Sequence, residues 1–221
     1  MKIKRLLDYL FPPRCVFCSR VISPGKTVCG ACEKEVVPVH WKQRMILPET
    51  GKTFLCTAPY SYDGKVRKAI LNFKFRGKKK YGEFFSDRML ENIRRNVPDP
   101  SFSAVTCVPI SRERQKKRGY NQSELLARRI AARAGLPYRP LLEKRVDNPE
   151  QHRLRRGERA QNVRGVYSAR DPGAIRGGTV LLVDDIVTTG ATLSECAGVL
   201  YRCGAKKVVC AVVAKVTTQS Y

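Results

Sequence analysis

Apolar residues recur at helical spacing at the start of the chain (Ile3, Leu6, Leu7, Leu10 and Phe11), which predicts a short amphipathic helix over residues 1–11. A cysteine-bearing polar stretch fills 12–40, and Pro48 and Gly51 mark 41–52 as a linker. Residues 54–62 read as a strand. Val66, Ile70, Leu71 and Phe73 predict a helix through about residue 75 that ends at Gly77. Phe84, Phe85, Met89 and Ile93 predict another over 81–96, stopped near Pro98. From about residue 101 the pattern changes. A strand at 105–109 is followed by a basic, glycine-containing loop at 110–120. A helix capped by Asn121 or Ser123 carries Leu125, Leu126 and Ile130 and closes at Gly135. Residues 138–165 are polar, Arg-rich and too long for a turn, so they form a candidate functional loop. An unbroken apolar strand at 180–183, a helix from about Ala191 to Gly204 and a strand at 208–216 complete the chain. Buried apolar strands alternating with helices predict an α/β fold, an open and mostly parallel sheet flanked by helices.

Charge adds a partner class to this outline. The 221 residues hold 43 Lys and Arg against 19 Asp and Glu, a net charge of +24. Residues 1–64 contribute +5, residues 65–164 contribute +17 and residues 165–221 contribute +2. Such clustering points to a polyanion, either phosphates on a small ligand or a nucleic-acid backbone. No apolar run reaches the length of a membrane span, so no membrane insertion is expected. Asp8 interrupts the first apolar stretch and Pro12-Pro13 follow it, so this segment reads as a helix of a cytoplasmic protein rather than a leader.

Nine cysteines are present, and four are patterned: Cys15-x-x-Cys18 and Cys29-x-x-Cys32. Two such knuckles on a short loop offer four soft thiolates to a tetrahedral Zn²⁺, and the segment has too few apolar residues to order itself without a staple. Two disulfides or a redox pair are the alternatives, and an intracellular chain disfavours both. Cys107, Cys196, Cys203 and Cys210 sit in apolar strands or a helix and read as small core residues. Cys56 lies just past the knuckles and reads as core rather than a fifth thiolate.

The most informative stretch runs Val180-Leu-Leu-Val-Asp184-Asp185-Ile-Val-Thr188-Thr189-Gly190-Ala191-Thr192. A buried strand delivers two adjacent carboxylates to its carboxyl end, where open α/β sheets bind ligands. A helix N-terminus with threonine hydroxyls and a glycine follows, a setting for a phosphate. The carboxylates repel phosphate but accept hydrogen bonds from vicinal hydroxyls. A ribose diol with a 5′-phosphate satisfies both halves. The stretch resembles the phosphoribosyl diphosphate (PRPP) signature of type I phosphoribosyltransferases. By that resemblance Asp184 and Asp185 take the ribose hydroxyls, and Thr188, Thr189, Gly190, Ala191 and Thr192 hold the 5′-phosphate. A Walker phosphate loop does not fit, because its lysine is missing.

Two further elements carry cations. Residues 108–122 place five basic residues, Arg112 and Arg118 among them, between a strand and a helix, where they would neutralise a diphosphate. Residues 145–162 carry Arg145 and Arg153, suited to stabilising a departing pyrophosphate from a closing loop. An exposed nucleic-acid face reads equally well there. Lys65, Arg67, Lys68, Lys74, Arg76, Lys78, Lys79 and Lys80 form a run of positive charge with no acid between them, interleaved with Phe73, Phe75 and Tyr81. Rings among lysines suit single strands, where bases stack while phosphates are neutralised. For Phe73 and Phe75 the alternative, a core-facing helix stripe, is favoured.

Together these motifs resemble the ComF/GntX competence family. The matching pieces are Phe11-Pro12-Pro13-Arg14-Cys15-x-x-Cys18, the second CxxC, Tyr62-Asp63-Gly64-x-Val66-Arg67, Phe73-Lys74-Phe75-Arg76-Gly77, Val108-Pro109, Arg118-Gly119-Tyr120-Asn121-Gln122, Gln151-x-x-Leu154, Asn162-Val163-Arg164-Gly165 and the Asp184-Asp185 signature. Some members carry further cysteines before Tyr-Asp-Gly, where this chain has only Cys56. The resemblance implies a four-cysteine zinc finger over residues 1–50 and a phosphoribosyltransferase-fold domain over 51–221, with a hood-like part at 51–100. It implies structural Zn²⁺, Mg²⁺ with PRPP, and handling of single-stranded DNA beside a helicase partner in natural transformation. An active phosphoribosyltransferase acting on a base or amine, and a non-catalytic PRPP sensor, are the alternative functions.

Overall fold

The computed structural model describes residues 12–75, 80–98, 101–145 and 165–217. The helix expected over 1–11 lies outside them. A short helix α1 (Gly30–Glu35) belongs to the cysteine module. Strands β1 (Trp41–Ile46) and β2 (Thr53–Ala58) form an antiparallel hairpin, and β3 (Tyr60–Ser61) follows. Helices α2 (Gly64–Phe75) and α3 (Tyr81–Asn96) come next, then β4 (Ala104–Cys107), α4 (Arg112–Arg118) and α5 (Gln122–Ala134). Strands β5 (Leu142–Lys144) and β6 (Tyr167–Ala169) pair with each other, and β7 (Thr179–Val187), α6 (Ala191–Arg202) and β8 (Lys207–Lys215) close the order.

The main sheet runs β1-β2-β8-β7-β4, with β3 extending alongside β8. Every pairing in it is parallel except β1 with β2. The two-residue period of a strand explains how one sheet serves two cores. On β7, Leu181 and Val183 face one core while Val180 and Leu182 face the other. On β8, Val209, Ala211 and Val213 join the first core, and Val208, Cys210 and Val212 the second. Helices α2, α3 and α5 cover the first face, and α6 covers the second. Cys56, Cys107, Cys196 and Cys210 are buried in these layers, as their apolar surroundings implied. Burial pushes the thiols of Cys56 and Cys107 up to about 12, which keeps them protonated and inert.

Several segments differ from the sequence reading, among them residues 142–144, expected within a loop, which form β5. Residues 41–46, expected as linker, form the edge strand β1. Its side chains are half-buried or exposed, so the apolar signal of a strand is weak there, and the turn at 47–51 folds it onto β2. Residues 112–118, expected as part of a loop, form α4. Ser111 caps it by accepting from the Arg114 N–H at 3.2 Å, and Gly119 ends it at φ 74°. Helix α5 follows its expected punctuation: the Asn121 side chain accepts from the Ser123 N–H, and Gly135 closes the helix in the left-handed region.

The cysteine module is not a separate bead. Phe17, between the first two cysteines, is buried against Tyr60 and Phe84, with ring centroids 6.0 and 5.4 Å away. Cys15, Val16 and Cys32 share the same core as α2 and α3. An ion pair between Glu35 and Lys65 joins α1 to the start of α2, and His40 Nδ1 lies 3.1 Å from Asn92 Oδ1 on α3. Among the described residues no helix is long and apolar enough to cross a membrane.

Candidate functional site

At the carboxyl end of β7, Asp184 and Asp185 stand where the strand leaves the sheet. The loop Thr188–Gly190 leads directly into α6. Gly190 takes φ 83°, and a Cβ there would lie 2.0 Å from the Met45 Cε on β1. The torsion favours glycine, and any Cβ would also require the flexible end of Met45 to move aside. Thr188 and Thr189 are exposed toward solvent, and Ala191 and Thr192 are half-buried at the first turn of α6. This turn leaves N–H groups without helical partners.

A cavity of about 220 Å³ opens above these residues. Its lining brings Asp184, Asp185 and Thr188 to Thr192 together with Lys74, Arg114, Arg118, Ser123, Lys144 and Tyr167. Acids occupy one part and cations surround it. Burial and the neighbouring Asp185 raise the Asp184 carboxyl to about 7, against the opposing pull of the Ser123 hydroxyl and Lys74. Ser123 Oγ donates to Asp184 Oδ1 at 2.7 Å, and the Asp185 N–H donates to the same oxygen at 2.8 Å. Lys74 Nζ lies 2.8 Å from Asp185 Oδ2. The arrangement can accept a diol at the carboxylates, an anion at the helix start and a second anion among the cations.

The cations expected at this site are distributed unevenly. Arg118 lines the cavity, lies over the Phe75 ring at 4.9 Å and donates to Gln122 Oε1. Arg112 is exposed on α4 and is not part of the lining, whereas Arg114 is. Arg145 is exposed just past β5, its Nε donating to Ser168 Oγ at 2.7 Å. Arg153 lies outside the described residues. Sequence reasoning did not single out Ser123, Arg114, Lys144 or Tyr167 for the site. Only the position of Arg114 in the basic segment and of Ser123 beside the cap hinted at two of them.

The run of cations from Lys65 to Lys80 is divided by the fold. Val66, Ala69, Ile70 and Phe73 form the buried stripe of α2. Lys65 pairs with Glu35, and Lys74 turns inward to Asp185. Arg67, Lys68 and Lys80 are exposed, and Arg76, Lys78 and Lys79 lie outside the described residues. Phe73 is fully buried, as the core alternative required, whereas Phe75 is 55% exposed. The Arg118-Gly119-Tyr120-Asn121-Gln122 motif braces this helix. The Tyr120 hydroxyl donates to the Phe73 carbonyl, and Gln122 Nε2 to the Lys74 carbonyl at 3.4 Å.

Around the paired knuckles, the sulfur atoms of Cys15, Cys18, Cys29 and Cys32 all lie within 4.8 Å of one another. Cys18 Sγ and Cys29 Sγ are 3.7 Å apart. A tetrahedral zinc bound at about 2.3 Å would space its sulfurs by about 3.8 Å. The Cys32 backbone N–H helps bring the Cys29 thiol down to about 7, while burial and the other three sulfurs push Cys32 up to about 12. Four sulfurs this close cannot all be ionised without a cation among them. The donor set therefore fits zinc, and all nine cysteines are free of disulfides.

Comparison with known proteins agrees with both halves. Residues 6–45 match the double zinc ribbon domain family, and residues 121–220 match the phosphoribosyl transferase domain family. The chain is 28% identical to the competence protein ComFC of Bacillus subtilis, over 87% of this chain and 71% of that protein. It is 27% identical to competence protein F of Haemophilus influenzae, over 89% and 82%. It is 26% identical to the DNA utilization protein YhgH of Escherichia coli, over 88% and 86%. The chain thus sets a four-cysteine ribbon ahead of a phosphoribosyl transferase domain, and along most of its length it is similar to competence proteins of the ComF family.

Proposed function

We propose that this protein binds PRPP at the Asp184 to Thr192 site and handles single-stranded DNA during DNA uptake. The observation that carries the first half is the cavity itself. A buried strand ends in two carboxylates beside a glycine-bearing helix start, and four cations line the same space. Asp184 and Asp185 accept the ribose 2′- and 3′-hydroxyls, and the N–H groups and hydroxyls of Thr188 to Thr192 receive the 5′-phosphate. The diphosphate lies toward Arg114, Arg118 and Lys144. Mg²⁺ fits this site as a ligand-borne ion, held mostly by diphosphate and ribose oxygens near the carboxylates, where it offsets negative charge. The DNA half is supported by the competence and DNA-utilization names of the relatives and by the net charge of +17 over residues 65–164, which far exceeds that of one diphosphate.

A second reading, an active phosphoribosyltransferase, is favoured by the cations facing the carboxylates. They are the groups that would stabilise a departing diphosphate as an amine or base attacks C1. One titration series tests the proposal: Mg-PRPP first, then an oligonucleotide at two salt concentrations. Saturable PRPP binding and oligonucleotide binding that weakens steeply with salt are expected. Absence of PRPP binding removes the first half, and salt-insensitive or absent oligonucleotide binding removes the second. Pyrophosphate release with an added base or amine would establish the enzyme.

A further inference from the structure

Lys74 is the penultimate residue of α2, a helix outside the three PRPP elements that the sequence marks. Its side chain is 12% exposed, and that of its partner Asp185 is 11% exposed. A charge pair this dry is held strongly to its geometry, because either ion alone would be left poorly solvated. The backbone that carries Lys74 is also fixed. Tyr120 donates to the carbonyl of Phe73, and the buried Gln122 reaches the carbonyl of Lys74 itself. The ammonium is therefore delivered to Asp185 by a braced helix end rather than by a wandering surface chain.

Resting on the PRPP reading above, this pair has a chemical consequence. A ligand diol that takes Asp185 must compete with Lys74 for its carboxylate oxygens. The displaced ammonium then needs a new anion within the same cavity, or its desolvation counts against binding. In a ribose activated at C1, the diphosphate hangs next to the 2′-hydroxyl. It is the anion nearest to the contested carboxylate.

We propose that Lys74 is a counter-ion exchanged on binding, which neutralises Asp185 before the ligand enters and passes to the C1 diphosphate once the ribose diol takes the carboxylate. The site then selects a phosphoribosyl group with an anionic C1 substituent against ribose 5-phosphate, which carries the same diol and 5′-phosphate. Lys74 is thus a specificity-determining residue, and its place in the lysine run on α2 is incidental to any polymer binding.

The test measures the affinities of PRPP and ribose 5-phosphate, each with Mg²⁺, for the parent protein and for Lys74→Met. The expected result is a loss of about tenfold or more for PRPP, the scale of one charge-assisted contact. Ribose 5-phosphate affinity is expected to stay level or to rise. An equal loss for both ligands, or no loss for either, overturns the proposal while leaving the PRPP site standing. A parent protein that binds neither ligand overturns the site reading and this inference together. If Lys74→Met does not fold, Lys74→Arg keeps the charge and moves the donor. A changed ratio of the two affinities then supports the exchange, and an unchanged ratio overturns it.

Discussion

Ser123, the second residue of α5, donates its hydroxyl proton to Oδ1 of Asp184 at 2.7 Å across 61 positions of sequence. This bond favours the ionised carboxyl, which is the form that accepts a diol. Ser123→Ala removes it and raises the Asp184 carboxyl further. PRPP affinity is expected to fall several-fold near pH 7, and the pH at which binding reaches half its maximum is expected to move upward. Calorimetric titration between pH 6 and 8.5 reads both. An unchanged pH profile would show that the hydroxyl has no influence on the acid.

The raised carboxyl of Asp184 also makes stability depend on pH. A carboxyl held at about 7 in the folded chain binds its proton more tightly than an unfolded carboxyl near 3.9. The stability it contributes is therefore full below about pH 4 and is lost as pH rises through about 7. Asp184→Asn removes the burden of the ionised form. The variant is expected to melt about 3 °C or more above the parent at pH 8.5, with the gap closing toward pH 5. Melting curves at the two pH values decide it, and a gap independent of pH would rule it out.

Gly190 faces two obstacles to any side chain, and they can be separated. Gly190→Ala meets both the φ of 83° and Met45. PRPP affinity is expected to fall by about tenfold or more, since the loop must move to relieve the torsion, whereas the contact can also be relieved by the flexible end of Met45. Adding Met45→Ala opens the space but leaves the torsion. The double variant should recover part of the affinity, measured by the same titration. Full recovery would assign the whole effect to the clash, and no recovery would assign it to the torsion.

Removal of zinc should not be a local event. Phe17 packs on Tyr60 and Phe84 in the interior that also holds α2 and α3. A chelator strong enough to strip the ribbon is expected to lower the melting temperature of the whole chain in one transition. Phe17→Ala should do the same with zinc in place, costing about 3–5 kcal/mol, or roughly 10 °C. Two separated melting transitions after chelation would contradict this coupling.

The sheet and the loop that follows β7 were legible because their signals are local. The apolar run at 180–183, the adjacent acids and the Thr-Thr-Gly turn each follow the next in sequence, and Asn121 and Gly135 punctuate α5 where their chemistry demands. The paired CxxC spacing announced the sulfur cluster for the same reason. What stayed hidden depends on distant partners. Lys74 looks like its neighbouring lysines until the helix end is turned toward Asp185 by Tyr120 and Gln122. Ser123 is an ordinary polar residue until α5 packs beside β7. Strand β1 carries little apolar signal because an edge strand with an open face does not need it. Helix α4 is all polar and lacks a buried residue, so no periodicity marks it.

The interior shared by ribbon and sheet has a consequence for how such chains can change over generations. A recombination event that replaced residues 12–40 with those of a distant relative would set a foreign aromatic against the resident Tyr60 and Phe84. It would also bring an unmatched residue opposite Lys65, which Glu35 now balances. The two halves are therefore expected to travel as one heritable block, with crossovers tolerated poorly at the junction that follows the cysteines.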